Sequence, residues 1–412
     1  NSNNSTFNSI ACENNNFSSA QAFDDLFCSL PPVNYGHLSI IYDSLSNGHT
    51  ELLASNKYNA IRKDWIVMYA SDSQDIPHTT GTYSCPNTFL DTIVLGVQRG
   101  KYIKLRFASE FDHSQARVIS GSTDTIIQID TVWTDTLRVM ADADSMIILS
   151  NIRNINRFSC RDNGENILSI YISESKFLEE LDCANNNIRN LSTISSDYLS
   201  KLDCSNNQIK NLYVNTGIST LNCAHNQIET LFVRDIDSSL EELDCSDNLI
   251  DKLDISNNEK ITYLNCSGNN ISVLSLSNNP YIETLICARN NITSLDLMSN
   301  DILESVDLSN NPQFCNLNIS DTSVLKRISL YGCNFSSCGL DSVFRALPRR
   351  LPTDSAVIFI KDSTATNPGA DGCRDTIASH RNWAVLDFKG NNSMDTIKNS
   401  FYTCVPNMNL NR

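Results

Sequence analysis

Leu202-Asp203-Cys204-Ser205-Asn206-Asn207-Gln208-Ile209 is a phrase that the chain keeps repeating. Registered on Leu-x-Cys-x-x-Asn-x-Ile, its Cys falls at 183, 204, 223, 245, 266 and 287, and its Asn at 186, 207, 226, 248, 269 and 290. The aliphatic that closes it is Ile188, Ile209, Ile228, Ile250, Ile271 and Ile292. Copies start at Leu181, Leu202, Leu221, Leu243, Leu264, Leu285, Val306 and Ile328, so neighbours stand 19 to 22 residues apart. A fixed period near twenty predicts a solenoid, in which stacked repeats build a core that no single repeat can bury.

Leu and Cys two positions apart share one side of an extended strand. The Asn falls where the chain leaves that strand, and its amide can serve backbone groups of its own turn and the neighbouring one. A second apolar set follows in each copy: Leu191, Leu212/Val214, Leu231/Val233, Leu253/Ile255, Leu274/Leu276 and Leu295/Leu297. Two short inward-facing segments per repeat leave little room for a helix. From Phe158 to Tyr331 the pattern resembles the leucine-rich repeats of the short class, about 21 residues long, with Cys in place of the third Leu. That resemblance implies a mostly parallel α/β leucine-rich repeat solenoid over residues 151–330, with a concave strand face open to a macromolecular partner.

The ladder cysteines, with Cys160 and Cys12 as further members, are expected to be core rather than metal or redox groups. A buried thiol is a small hydrophobe, parallel strands leave these side chains side by side, and no His stands at zinc-like spacing. No cofactor is expected.

With 31 Lys and Arg against 47 Asp and Glu in 412 residues, the formal charge of −16 argues against nucleic acid or anionic membranes as partners. No apolar run approaches the ~18 residues that span a bilayer. The chain begins without an initiator Met or a signal peptide. This fits an exported, processed chain at the outer cell surface or outside the cell, and admits a lipid anchor upstream of Asn1. Sequons such as Asn4-Ser5-Thr6 are read as chance.

After the repeats, Leu340, Val343, Phe344 and Leu347 mark one helical face that Pro348 stops. Ala356-Val-Ile-Phe-Ile reads as a strand, Arg374–Arg381 as a second helix and Trp383-Ala-Val-Leu-Asp-Phe as another strand. This βαβαβ cap over 331–412 resembles the C-terminal caps of bacterial surface leucine-rich repeat proteins, with their Asn367-Pro368-Gly369 turn and late Trp. Residues 1–86 repeat it. Asn16-Phe-Ser-Ser matches Asn334-Phe-Ser-Ser, the Phe23 segment matches the Leu340 segment, and Ala60 precedes Trp65 as Ala378 precedes Trp383. Ile10-Ala-Cys12-Glu-Asn-Asn15 even fits the repeat phrase. Between them, residues 87–150 alternate as strands (Ile93/Leu95/Val97, Ile103/Leu105/Phe107, Ile127/Ile129, Leu137/Val139, Ile147/Leu149) and are expected to form a small all-β sandwich. Cys338 and Cys373 are missing together from the first copy of the cap, which predicts a Cys338–Cys373 disulfide.

No converged acid, base and nucleophile set appears. The six His are scattered and no hydrolase, metalloprotease or nucleotide motif occurs. The chain is expected not to be an enzyme, with a hydrolase a distant third reading. Asp142 and Asp144 read as a hairpin tip rather than a calcium site. Three outward columns of the repeats remain. They mark Asp182, Asp203, Glu242, Asp244 and Asp247 as an acidic binding patch, with Tyr263, Arg289 and Arg327 toward its C-terminal side. Sparse aromatics on these columns favour a protein partner over a glycan. The role expected is internalin-like: an exported bacterial surface protein for recognition or adhesion. The alternative is a structural scaffold of tandem cap, sandwich and solenoid units that self-associates through residues 1–86.

Overall fold

The computed structural model describes residues 9–11, 19–29, 36–41, 52, 65–69, 91–150, 155–173, 177–192, 198–214, 217–233, 239–363, 365–388 and 394–396. Cys12, Cys85 and Cys404 lie outside them. The chain divides into two units, Asn1–Asp182 with Ser195–Tyr198, and Cys183–Ile194 with Leu199–Arg412.

The second unit is a mostly parallel β-solenoid. Each coil gives one three-residue strand to a common sheet: Lys201–Asp203, Thr220–Asn222, Glu242–Asp244, Tyr263–Asn265, Thr284–Ile286, Ser305–Asp307 and Arg327–Ser329, all in parallel register. The central Leu, Val or Ile of each strand is buried, as is each following Cys up to Cys287, after which Leu308 and Leu330 take over the position. On the other side of the coils, Asn211–Val214 pairs with Thr230–Val233 and Ser294–Leu297 with Asn316–Ile319. No helix occurs among the described residues of these coils.

The Asn ladder closes the corner after each strand. Asn207 Nδ2 donates to Cys183 O and Cys204 O at 3.0 Å and to Ser205 O at 3.1 Å, while its Oδ1 accepts from Ile188 N at 2.9 Å. Asn226, Asn248, Asn269, Asn290 and Asn311 repeat this pattern toward the preceding coil. One side chain therefore satisfies three carbonyls and an amide that the turn would otherwise bury unpaired. A second ladder occupies the opposite corner. Asn279 Nδ2 donates to Ile255 O at 3.0 Å and Asn258 O at 2.8 Å, and Asn300 repeats this one coil on.

The sheet continues through Ala356–Asp362 and Trp383–Phe388, both parallel, and ends on an antiparallel strand, Met394–Thr396. Helix Ser337–Ala346 lies between the Arg327–Ser329 and Ala356–Asp362 strands in sequence, and a short helix, Asp375–Ser379, precedes the Trp383 strand. Trp383 is buried and donates its indole N–H to Pro348 O at 2.8 Å. The Asn367-Pro368-Gly369 turn is tied down by Asn367, which accepts from Phe335 N and donates to Leu330 O and Ile360 O. A Cβ on Gly369 would lie 2.0 Å from Ser337 N, so only glycine fits there.

Cys338 and Cys373 are not bonded to each other. Cys338 is on the exposed side of its helix, whereas Cys373 is buried and its thiol donates to Ala370 O at 3.2 Å. The two side chains face different surroundings.

In the first unit, Asp91–Val97 lies between Ile167–Ser173 and Ser145–Ser150, and the same sheet runs on through Ser114–Ser120 to Thr123–Ile129, all antiparallel. A second sheet orders Glu180–Asp182, Arg157–Ser159, Tyr102–Ala108 and Leu137–Met140. The strand pairings thus cross the expected boundary at residue 150. Arg157–Ser159 belongs to the first copy of the repeat phrase, Phe158-Ser-Cys160-Arg-Asp-Asn163. It pairs parallel with Glu180–Asp182 on one edge and antiparallel with Tyr102–Ala108 on the other.

Toward the N-terminus, Ser9–Ala11, Gly36–Ile41 and Trp65–Tyr69 form a parallel three-stranded sheet, with helix Ala20–Ser29 between the first two in sequence. Its register matches that of the C-terminal elements. Gly36 pairs with Trp65 as Ala356 pairs with Trp383, and each pair of strands carries an irregularity after its fourth residue, between Ser39 and Ile41 and between Phe359 and Lys361. Two segments that share a sequence pattern share a strand register as well.

Candidate functional site

The outward columns flank each sheet strand of the solenoid. The residue between Leu and Cys has a local task. Asp203 Oδ1 accepts from Ser205 N at 3.0 Å and Ser205 Oγ at 2.7 Å, and Asp244 Oδ1 does the same with Ser246 at 3.0 and 2.6 Å. Asn222, Asn265 and Asp307 hold the N–H two residues on in the same way. This is an Asx-type bond that ends the strand, and an amide performs it as well as a carboxylate. The recurrence of Asp and Asn here follows from backbone geometry, whereas their charge does not.

The column two after the Cys is also constrained. Asp162, Asn185, Asn206, His225, Asp247, Arg289 and Asn310 all have φ between 50° and 60°, and Gly268 and Gly332 have 65° and 70°. Asn, Asp and Gly are the residues that enter this left-handed region at least cost. Arg289 departs from that preference, and both it and His225, a residue also enriched in this region, face Asp247. Arg289 Nη2 is 2.9 Å from Asp247 Oδ1, and His225 Nδ1 is 3.4 Å from Oδ2. Gly268, on the coil between Asp247 and Arg289, leaves the gap that the guanidinium crosses.

On the third column, Glu242 is exposed and pairs in register with Tyr263. Asp244 receives a 3.0 Å bond from Asn265 Nδ2 on the adjacent strand. Burial and then the Asp244 carboxylate hold the Tyr263 phenol above its ordinary range, with Glu242 adding to the effect. The structure therefore brings Glu242, Asp244 and Tyr263 together, with Asp247 on the turn of the Asp244 coil and His225 and Arg289 on the turns of the coils that flank the Asp244 and Tyr263 coils. Asp203 lies two sheet strands from Asp244. Arg327 stands apart, its guanidinium 4.7 Å from the centre of the buried Phe359 ring. Asp182 belongs to the first unit, where it accepts from Arg161 Nη1 at 2.9 Å and Ser159 Oγ at 3.3 Å.

Among the described residues, no group of three or more His, Cys, Asp or Glu is arranged to hold a metal ion. Asp142 accepts from the backbone N–H and hydroxyl of Ser122 across the sheet. Sequence reading passed over one surface feature: Tyr213 and Phe232, exposed on the second face of the coils, pair in register with rings 6.4 Å apart. Their signal was an aromatic between each inward pair, Leu212/Val214 and Leu231/Val233.

The period, the parallel register and the Asn corners define a mostly parallel β-solenoid, the fold that the resemblance to leucine-rich repeats implies. No protein-family profile and no curated protein sequence matches the chain. Among solved structures it is similar to the functional domain of InlJ from Listeria monocytogenes, which includes a cysteine ladder, at 16% identity over 51% of this chain and 60% of that one, with a TM-score of 0.32. It is also similar to internalin C2 from Listeria monocytogenes (20% identity, 44% and 87% covered, TM-score 0.34). A third likeness is to the leucine-rich repeat domain of APL1B (17% identity, 48% and 68% covered, TM-score 0.39). The chain spans 60% of the length of the InlJ domain, and these likenesses concern the fold alone.

Proposed function

We propose that this chain is an exported recognition protein of the bacterial cell surface that binds a partner protein through the outward face of its parallel sheet. The observation that carries this reading is the group Glu242, Asp244, Tyr263, Asp247 and Arg289. Glu242 has no part in the backbone bonding that accounts for the Asp and Asn columns. Arg289 occupies a left-handed position that disfavours it. Residues kept against or beyond structural need are the ones that can specify a partner, and a repeat surface offers them on a rigid frame. Asp203 and Arg327 enter as flanking contacts. The reading includes no catalysis and no cofactor, and a location outside the cell or on its outer surface accords with it. Among the described residues no helix is long and apolar enough to cross a membrane.

The test is an array of surface proteins and glycans probed with the full chain, followed by the Glu242→Lys variant on any hit. Loss of protein capture supports the reading, and capture that ignores the substitution sinks it.

A second reading is favoured by the shared register of Gly36/Trp65 and Ala356/Trp383. It makes the chain a scaffold of cap, β-sandwich and solenoid units repeated in tandem, with residues 1–86 as a duplicate cap that self-associates. Sedimentation across a concentration series separates the two: a monomer at every concentration rejects the scaffold.

A further inference from the structure

In a chain of net charge −16, one surface of the first unit runs strongly the other way. Lys104, Arg106, Arg138 and Arg161 line a cavity of about 470 Å³, together with Thr136, Ser159 and Asp162. The cluster is made by strand pairing. Lys104 and Arg138 are directly opposite each other on antiparallel strands, and Arg106, two residues from Lys104 on the same face, is paired with Ser159 on the next strand. Like charges directly opposite on a sheet are destabilising, so stability does not explain this arrangement. Among the described residues, no carboxylate lies within ion-pair distance of Lys104, Arg106 or Arg138, while Arg161 is held by Asp182 at 2.9 Å.

The cavity is pre-organised. Arg106 Nε donates to Thr134 O at 3.1 Å and its guanidinium lies 5.2 Å from the centre of the Trp133 ring, which fixes the fork while leaving its other N–H groups. Lys104 Nζ donates to Asp162 O at 2.8 Å. The loop that carries Arg161 and Asp162 is anchored by the buried Asn163, whose Oδ1 accepts from Lys104 N at 2.8 Å and whose Nδ2 donates to Lys104 O at 3.0 Å and Cys160 O at 2.8 Å. The ladder Asn of the first repeat thus serves here to fix a rim of the cavity.

We infer that this cavity binds an acidic saccharide, a sugar bearing sulfate or carboxylate groups. Three cations without carboxylate partners suit an oxyanion, and a guanidinium fork matches sulfate or carboxylate geometry. The Thr136 hydroxyl adds a neutral donor, and the Asp162 carboxylate, 3.5 Å from Arg161 Nε, adds acceptor oxygens. That mixture suits sugar hydroxyl groups and would repel a ligand that is anionic throughout. The cavity shares no residue with the group proposed for partner binding, so it stands or falls independently of the partner proposed there.

The experiment is calorimetric titration of the full chain, at low ionic strength, with a heparin-derived tetrasaccharide, its desulfated counterpart, inorganic sulfate, and a phosphoserine peptide of matched charge. Saturable binding of the sulfated tetrasaccharide, weakened about tenfold or more by Arg106→Gln with Arg138→Gln and untouched by Lys326→Gln, supports the site. Arg138 is exposed, so Arg138→Gln alone reads the same loss if the double variant unfolds. Undiminished binding by these variants, or no binding of the tetrasaccharide, overturns the site. Inorganic sulfate binding as tightly as the tetrasaccharide, or tighter binding of the phosphopeptide, overturns the assignment to a saccharide.

Discussion

Arg289 reaches Asp247 two coils away, 2.9 Å from nitrogen to oxygen, across the bare Cα of Gly268. The pair exists because the intervening coil has no side chain at that position. Gly268 sits at φ +65°, and a Cβ there would lie 2.2 Å from Asp247 Oδ1. Gly268→Ala should therefore cost about 1–2 kcal/mol in backbone strain alone and break the pair as well. Denaturant unfolding measures the first effect. An unchanged midpoint would show that the left-handed turn is not a constraint.

Removing the guanidinium should cost little. Arg289 is more than half exposed, and surface ion pairs contribute about 0–1 kcal/mol. Asn fits the left-handed turn better than Arg, so Arg289→Asn is expected to unfold no earlier than the parent chain. If that variant also loses partner binding, Arg289 is retained for recognition. A large drop in melting temperature would instead make it a structural residue.

The Asn ladder should be far less forgiving. Asn248 gives Nδ2 bonds to Cys223 O, Cys245 O and Ser246 O, and its Oδ1 accepts from the buried Ile228 N. Asn248→Ala strands these groups without water, at about 1–3 kcal/mol for each one left unpaired. We expect a loss of at least about 3 kcal/mol, read from denaturant midpoints, and a loss under about 1 kcal/mol would contradict the ladder's role.

The repeats were legible because Leu, Cys, Asn and Ile recur at one spacing and each has a single physical reason to be there. The Asp column was legible in position but not in meaning. That Asp203 and Asp244 bond the N–H two residues on is a matter of dihedral angles, which a sequence does not display. Neither could the sequence show the left-handed turns, although the run Asn185, Asn206, Asp247, Gly268 carried the signature once φ was known. The basic cavity was hidden for a different reason. Lys104 and Arg138 are 34 residues apart and meet only through antiparallel pairing. The Cys338–Cys373 pairing rested on correspondence between two copies, which carries no information on where each side chain points.

Knowing what Asp244 does locally sharpens the binding test. Asn222 and Asn265 already perform the same turn bond, so Asp244→Asn should keep the fold within about 0.5 kcal/mol while removing a charge. Glu242→Lys reverses a charge with no backbone task. A cationic partner should lose affinity in both variants, more in Glu242→Lys, chiefly through slower association at low salt. Equal affinity in all three proteins, measured by surface plasmon resonance, would clear this patch of any part in recognition.

Buried thiols should set the alkaline limit of the fold. Burial raises Cys204, Cys223, Cys245 and Cys287 well above their ordinary range, and lifts Cys266 from 9.0 to about 12. Below pH about 9 these thiols are neutral in both the folded and the unfolded chain, so their contribution is fully present. Above that value the unfolded chain ionises first and the folded chain resists, so stability falls as pH rises toward the folded values. Each such thiol removes about 1.4 kcal/mol per pH unit in that window. Melting temperature should hold between pH 7 and 8.5 and drop steeply from about pH 9 upward, whether or not reductant is present. Cys245→Ala should cost about 1 kcal/mol at neutral pH through lost packing and make the alkaline decline shallower by one thiol's share. A decline of the same steepness in that variant would show that the ladder thiols do not govern it.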